Sequence, residues 1–271
     1  MNTPYASFIV LLGEHRIPTW NQALRLLSLL DEQILTLSEL VVVFHSPSGK
    51  QYEISDNAFK SVNVTIDQSP CYQKPKFTNI GVEVSRSDNL VLLDSDRVLP
   101  QNYFLRTMDL LEACPEKIFT TQRILDLEKT ISDRDVLHRK GRGKEYKRSR
   151  LNRPFCKNLF SGNTTLKKSI YHLLGGYDES FRGHGFADND LTFRAEERGV
   201  FQDDLEYHLF HPPYYFEHGK EKSLALQKDQ TAKNFLLYHQ KHDLVVSQSN
   251  LRYLKSTGMN VPRSLFRELH L

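Results

Sequence analysis

The first half of the chain alternates short apolar runs with stretches of helical spacing. Phe8–Leu12, Leu40–Phe44 and Leu90–Leu93 are continuous apolar runs of strand length, the pattern of strands covered on both faces, and Ile118–Thr121 reads as one more strand. Val62-Asn63-Val64-Thr65-Ile66 alternates with a period of two, as a half-exposed strand does. Between the runs the period changes. Leu24, Leu27, Leu30 and Ile34 recur every three or four residues and predict a helix from Trp20 to about Gln33. Pro75 opens a second helix over Phe77, Ile80 and Val84, and Pro100 precedes a third over Gln101–Cys114. Such alternation predicts an α/β fold with a mostly parallel central sheet flanked by helices. Ligands of such sheets bind beyond the carboxyl ends of the strands.

The second half reads differently. Residues 134–157 are dense in Lys and Arg and poor in apolar anchors, which predicts an exposed, mobile basic loop. Its alternative role is a lid, or a peripheral contact with anionic lipid or polymer. Beyond Tyr214-Tyr215-Phe216 the sequence is amphipathic and helical, with Phe235, Leu236, Leu237 and Tyr238 among charged neighbours. Those C-terminal helices are candidates for packing on the rest of the chain or for forming an oligomer. With 25% charged and 39% hydrophobic residues in 271, the composition is that of a soluble globular protein, and a net charge of +3 gives no general affinity for nucleic acid. Three cysteines without short spacings argue against a disulfide framework or zinc knuckle and fit a reducing compartment. The apolar run before Gly13 is shorter than the roughly 7–15 residues of a signal-peptide core and the roughly 20 of a membrane span. A cytoplasmic location is expected, peripheral to a membrane at most.

Three constellations carry chemistry. Asp94-Ser95-Asp96 closes the Leu90–Leu93 run. If the backbone stays extended, the two carboxylates point the same way and suit Mg2+ or Mn2+ bridging to a diphosphate, since neither can be buried unpaired. The alternative is a strand-end turn. Gly183-His184-Gly185-Phe186-Ala187-Asp188-Asn189-Asp190 joins paired glycines, which permit close backbone approach to a ligand, to a carboxylate at a helix start. Asp188 there can act as a general base or simply cap the helix. His208 and His211, three apart, can share a cation, or one of them can complete the site begun by Asp96.

The order of these motifs resembles the GT-A glycosyltransferases of the family 2 type, with a second half similar to the galactosyltransferase-type domain of β-1,4-galactosyltransferases and bacterial capsule synthases. The likeness lies in Lys76–Val82 leading to Leu90–Asp96, in Asn163-Thr164-Thr165 through Gly175-Gly176-Tyr177-Asp178-Glu179, and in Gly183–Leu191, and it covers roughly residues 5–215. It implies a GT-A catalytic domain over residues 1–218. That domain divides into a nucleotide-binding half (about 1–125), the basic loop (about 126–157) and an acceptor-binding half (about 158–218), with a helical extension over 219–271. It further implies an inverting, metal-dependent transfer from a nucleotide sugar, a UDP-sugar by expectation, to a saccharide or glycolipid acceptor in surface-polysaccharide or glycolipid synthesis. By position, Asp96 binds the metal with Asp94 and with His208 or His211. Arg16, Asn79, Asp94, Ser95 and Asn163 contact the donor, and Gly176, His184, Gly185, Asp188 and Asn189 meet the acceptor, Asp188 being the base. Three positions depart from the family pattern: Ala187 where Glu is common, His184 where Trp is frequent, and Asn189 where an acid stands. A degenerate carbohydrate- or nucleotide-binding module and a sugar nucleotidyltransferase are the alternatives.

Overall fold

The computed structural model describes residues 3–51, 58–69, 72–138, 140–148, 159–183, 185–211 and 220–243. It opens with β1 (Ser7–Gly13), a single 3-10 turn (Glu14–Arg16), α1 (Ile17–Leu30) and the one-turn α2 (Glu32–Leu35). β2 (Glu39–His45), β3 (Ser61–Asp67), α3 (Lys74–Val84), β4 (Asn89–Asp94), the two-residue β5 (Arg97–Val98) and α4 (Tyr103–Ala113) follow. Then come β6 (Ile118–Leu127), α5 (Asp133–Leu137), β7 (Gly143–Lys147), β8 (Asn163–Lys167), α6 (Lys168–Leu173), α7 (Ala187–Ala195), β9 (Gly199–His208) and α8 (Lys220–Lys241). The described strands form one sheet in the order β3-β2-β1-β4-β8-β6-β9-β5, with β7 added beside β6. β3, β2, β1 and β4 are mutually parallel, and β6 and β9 share their direction, while β5, β7 and β8 run against it. The sheet is therefore mostly parallel.

Both faces of β1, β2 and β4 are covered, which is why these strands read as unbroken apolar runs. Phe8, Val10, Leu12, Leu40, Val42 and Phe44 face α1 and α4, whereas Ile9 and Val41 face the other way with Val82, Leu90 and Leu166. α3 lies so close to β1 that a Cβ on Gly81 would stand 2.5 Å from Ile9 Cγ2, so only glycine fits there. Asp31 breaks the predicted Trp20–Gln33 helix into α1 and α2, and its buried Oδ1 instead accepts the N–H of Phe104 at the start of α4.

The expectation of an exposed, mobile loop over 134–157 is corrected for the part described. α5 and β7 lie within it, β7 pairs antiparallel with β6, and Arg148 is buried. β7 is an edge strand whose side chains are mostly exposed, so backbone pairing rather than apolar periodicity holds it, and its charges resembled a loop. Residues 139 and 149–157, and those of the C-terminal extension beyond 243, lie outside the described residues. No helix among the described residues is long and apolar enough to cross a membrane.

Candidate functional site

Strand register assembles the centre. β9 lies between β6 and β5, and its last residue, His208, is level with Asp126 on one side and Arg97 on the other. Side chains level with one another on adjacent strands share a face, so the three meet. His208 Nδ1 is 2.8 Å from Asp126 Oδ1, and its Nε2 is 3.3 Å from Asp96 Oδ2. Three residues on, past the strand end, His211 Nε2 reaches the same oxygen at 3.4 Å, and Arg16, in the turn after β1, donates to it at 2.9 Å. The backbone tie Leu209 N–H to Asp96 C=O (2.8 Å) fixes the two loops to each other.

Asp96 is almost wholly buried. Burial pushes its carboxyl up, but hydrogen bonds from His208 and His211 and the Arg97 charge outweigh this and hold it well below the ordinary carboxylate range. His208 is moved the opposite way. Burial opposes its charge, yet the Asp126 and Asp96 carboxylates raise its pKa. His15, close by, is lowered to about 4 by burial and by Arg16, His211 and His45.

One ligand atom each from Asp96, His208 and His211 lies within 4.8 Å of the others, the spacing of a metal triad. The donor set fits a cation. Asp96 Oδ1 is buried with no hydrogen-bond partner, although Arg97 Nε stands 3.3 Å away. With an ion present, a His208 protonated on Nδ1 would donate to Asp126 and aim Nε2 at the ion, the outer-sphere arrangement that orients metal-binding imidazoles. Two imidazoles with one carboxylate suit manganese better than magnesium, which demands oxygen ligands. Asp126→Asn should weaken Mn2+ binding by about 10–100-fold in an equilibrium titration. Unchanged affinity would show that Asp126 does not orient a ligand.

Asp94 stands apart from this triad. After β4 the chain turns at Ser95 and Asp96 instead of staying extended, so the two carboxylates acquire different surroundings. Asp94, expected among the metal ligands, is not in the Asp96, His208 and His211 cluster. Its oxygens face Lys74 Nζ at 3.4 Å and Arg97 at 3.9 Å. The same Lys74 ammonium, in the first turn of α3, lies 3.0 Å from Oδ1 and 3.1 Å from Oδ2 of Asp188. Tyr177 Oη–H also donates to Asp188 Oδ1, at 2.7 Å. Asp188 occupies the first turn of α7, where the helix dipole favours a carboxylate. Burial disfavours the Lys74 charge, but Asp188 and Asp94 more than compensate and raise its pKa, so the ammonium persists. Burial, with Asp188, pushes the Tyr177 hydroxyl far up, so it remains a donor.

Arg16 sits on Asp96, and Ser95 is buried in the turn between the two aspartates. Two other residues expected to contact the donor make internal hydrogen bonds. Asn79 accepts from Tyr171 Oη and Tyr177 N–H and donates to the Tyr177 carbonyl and to Glu179, so its amide holds the segment carrying Tyr177. Asn163 is fully buried. Its side-chain carbonyl accepts from Tyr103 Oη, and its amide donates to Glu206 and Thr121. Gly176 packs against Asn79 and Tyr171. The paired glycines admit a close approach, but the approaching group is α8. A Cβ on Gly183 would overlap Gln230, one on Gly185 would press on Thr231, and Asn234 donates to the Arg182 and Gly185 carbonyls. Asn189 is buried in α7, and His184 lies outside the described residues.

Lys74, Asp126, Tyr177, Arg97 and Glu206 were not singled out by sequence. Arg97 is 4% exposed and joins the site to a buried network, touching Glu206 (3.2 Å), Asp96 (3.3 Å) and Asp94 (3.9 Å). Only the position of Tyr177, inside the Gly-Gly-Tyr-Asp-Glu segment, offered a signal.

No protein-family model matches the sequence, and a search of curated proteins finds no match. Solved structures do match. GalNAc-T7, crystallised with UDP, GalNAc and Mn2+, superposes with a TM-score of 0.60 at 11% identity over 88% of this chain. A 1–349 portion of S. aureus TarS in complex with UDP-GlcNAc gives a TM-score of 0.51 at 12% identity over 86%. The chain has a GT-A glycosyltransferase fold. It spans 48% of the GalNAc-T7 chain and 66% of the TarS chain.

Proposed function

We propose that this GT-A chain is a metal-dependent, inverting glycosyltransferase that moves a sugar from a UDP-sugar to a hydroxyl of a saccharide or glycolipid acceptor. The observation that carries it is the convergence of Asp96, His208 and His211 at the carboxyl ends of β4 and β9, where ligands of such sheets bind. Both structural neighbours were crystallised with a UDP-containing ligand, and one of them with Mn2+. Asp96, His208 and His211 would hold the cation, whose chemistry is to neutralise charge on a departing diphosphate. Arg16 and Lys74 supply further positive charge on that side.

Asp188 is the proposed base. Its carboxylate accepts the proton of the acceptor hydroxyl as that oxygen bonds to the anomeric carbon, and the bond from that carbon to UDP breaks with its electron pair leaving on UDP. Tyr177 holds the carboxylate in place for this. One displacement inverts the anomeric configuration.

Purified protein incubated with a panel of UDP-sugars should release UDP slowly in the presence of Mn2+. Release should stop with chelator and in Asp96→Ala. A folded protein that binds UDP but releases none from any UDP-sugar, even with saccharide acceptors present, would instead be a binding module.

A further inference from the structure

Lys74 is the one side chain described here that touches both halves of the site. Its ammonium can donate three hydrogen bonds, and three carboxylate oxygens lie around it: both oxygens of Asp188, at 3.0 and 3.1 Å, and Asp94 Oδ1 at 3.4 Å. The contacts are unequal. Asp188 is held by both oxygens and Asp94 by one longer contact, so the cation belongs mainly to the acceptor side. α3 fixes the start of the side chain, with Pro75 in its first turn, but a lysine stem ends in a compact charge that can swing between neighbours. Asp188 is tied by Tyr177 as well and stays in place when the lysine moves.

We infer that Lys74 couples the two substrate sites: the diphosphate of a donor competes with Asp188 for the Lys74 ammonium, so that donor binding frees the base for an acceptor hydroxyl. This inference rests on the nucleotide-sugar reading above. It follows from charge balance. One ammonium faces two carboxylates, and a diphosphate brought beside Asp94 adds a stronger acceptor within reach of the same cation. A ligand shifts such an arrangement only through its differential affinity, and the coupling is reciprocal. An acceptor thus meets an available base only after the donor has arrived, which limits encounters between an acceptor and an idle site.

Titration calorimetry of UDP at saturating Mn2+ tests this without any acceptor. Asp188→Asn removes the competitor and should tighten UDP about tenfold, and Lys74→Met should weaken it about tenfold, the size of one charge-assisted hydrogen bond gained or lost. In Lys74→Met, adding Asp188→Asn should change nothing, since the contested cation is gone. Lys74→Gln serves in the same cycle if the Met variant does not fold. Unchanged or weaker UDP binding in Asp188→Asn overturns the coupling. A gain that persists without Lys74 also overturns it, because direct repulsion by Asp188 would then be the cause. If the unsubstituted protein fails to bind UDP with Mn2+, the nucleotide-sugar reading falls and the coupling with it. Binding with an additive cycle defeats the coupling alone.

Discussion

Asp188→Asn should lower the turnover of a UDP-sugar and its acceptor by about 10²- to 10⁴-fold, the range that a positioned base contributes. The substitution is almost isosteric. Its Oδ1 still accepts from Tyr177, and the start of α7 keeps its shape, so little structural loss accompanies the chemical one. What disappears is the ability to take a proton. The loss should therefore fall on kcat, with no rise in the donor KM, because an interaction made only in the transition state has been removed. A variant within threefold of the unsubstituted rate would show that Asp188 is a structural partner of Lys74 and not the base.

How far the sequence led differs between the sheet and the site. β1, β2 and β4 were legible because both faces are buried, which leaves only apolar side chains in a short run. β6 was found only over its first four residues, since Gln122 and Arg123 interrupt the pattern where the register with β9 shifts and β7 joins as a neighbour. β7 itself was missed, because an edge strand needs no apolar signature. Within the site, Asp96, His208 and His211 could be grouped from motif order, though not the choice between one histidine and both. That choice depended on how far the chain advances from the end of β9 to His211, a distance that no spacing reveals. Lys74 and Asp126 were invisible for a related reason. A single Lys in a lysine-rich helix start, or a single Asp late in a strand, acquires meaning only when register and packing deliver a partner from elsewhere in the chain. The glycine motif is a different case. Its residues do permit close approach, but sequence cannot say whether a ligand or α8 is what approaches.

Glu206→Gln should destabilise the fold by about 3–5 kcal/mol, the cost of leaving buried cations without their counter-charge. Glu206 is fully buried in β9. Its Oε1 accepts from Arg97 at 3.2 Å and Arg148 at 2.8 Å, and its Oε2 accepts from Thr121 at 2.9 Å and from Asn163. Arg148 has no solvent exposure, so it cannot recover hydration when the carboxylate is gone. The glutamine keeps the volume and one acceptor oxygen, but its amide nitrogen would point a donor at a donor, which adds an unsatisfied group. Urea unfolding should show a lower midpoint with an unchanged slope, and melting should fall by about 10 °C for a chain of this size. The same substitution should also reach the site, because Arg97 is shared between Glu206 and the Asp94–Asp96 pair. Released from Glu206, its charge is left to those two carboxylates and competes with a cation for Asp96. Mn2+ affinity should therefore drop in protein that is still folded at low temperature. A stability loss below about 1 kcal/mol, the value of an exposed pair, would mean that water reaches this network and that it does not support the site as a rigid frame.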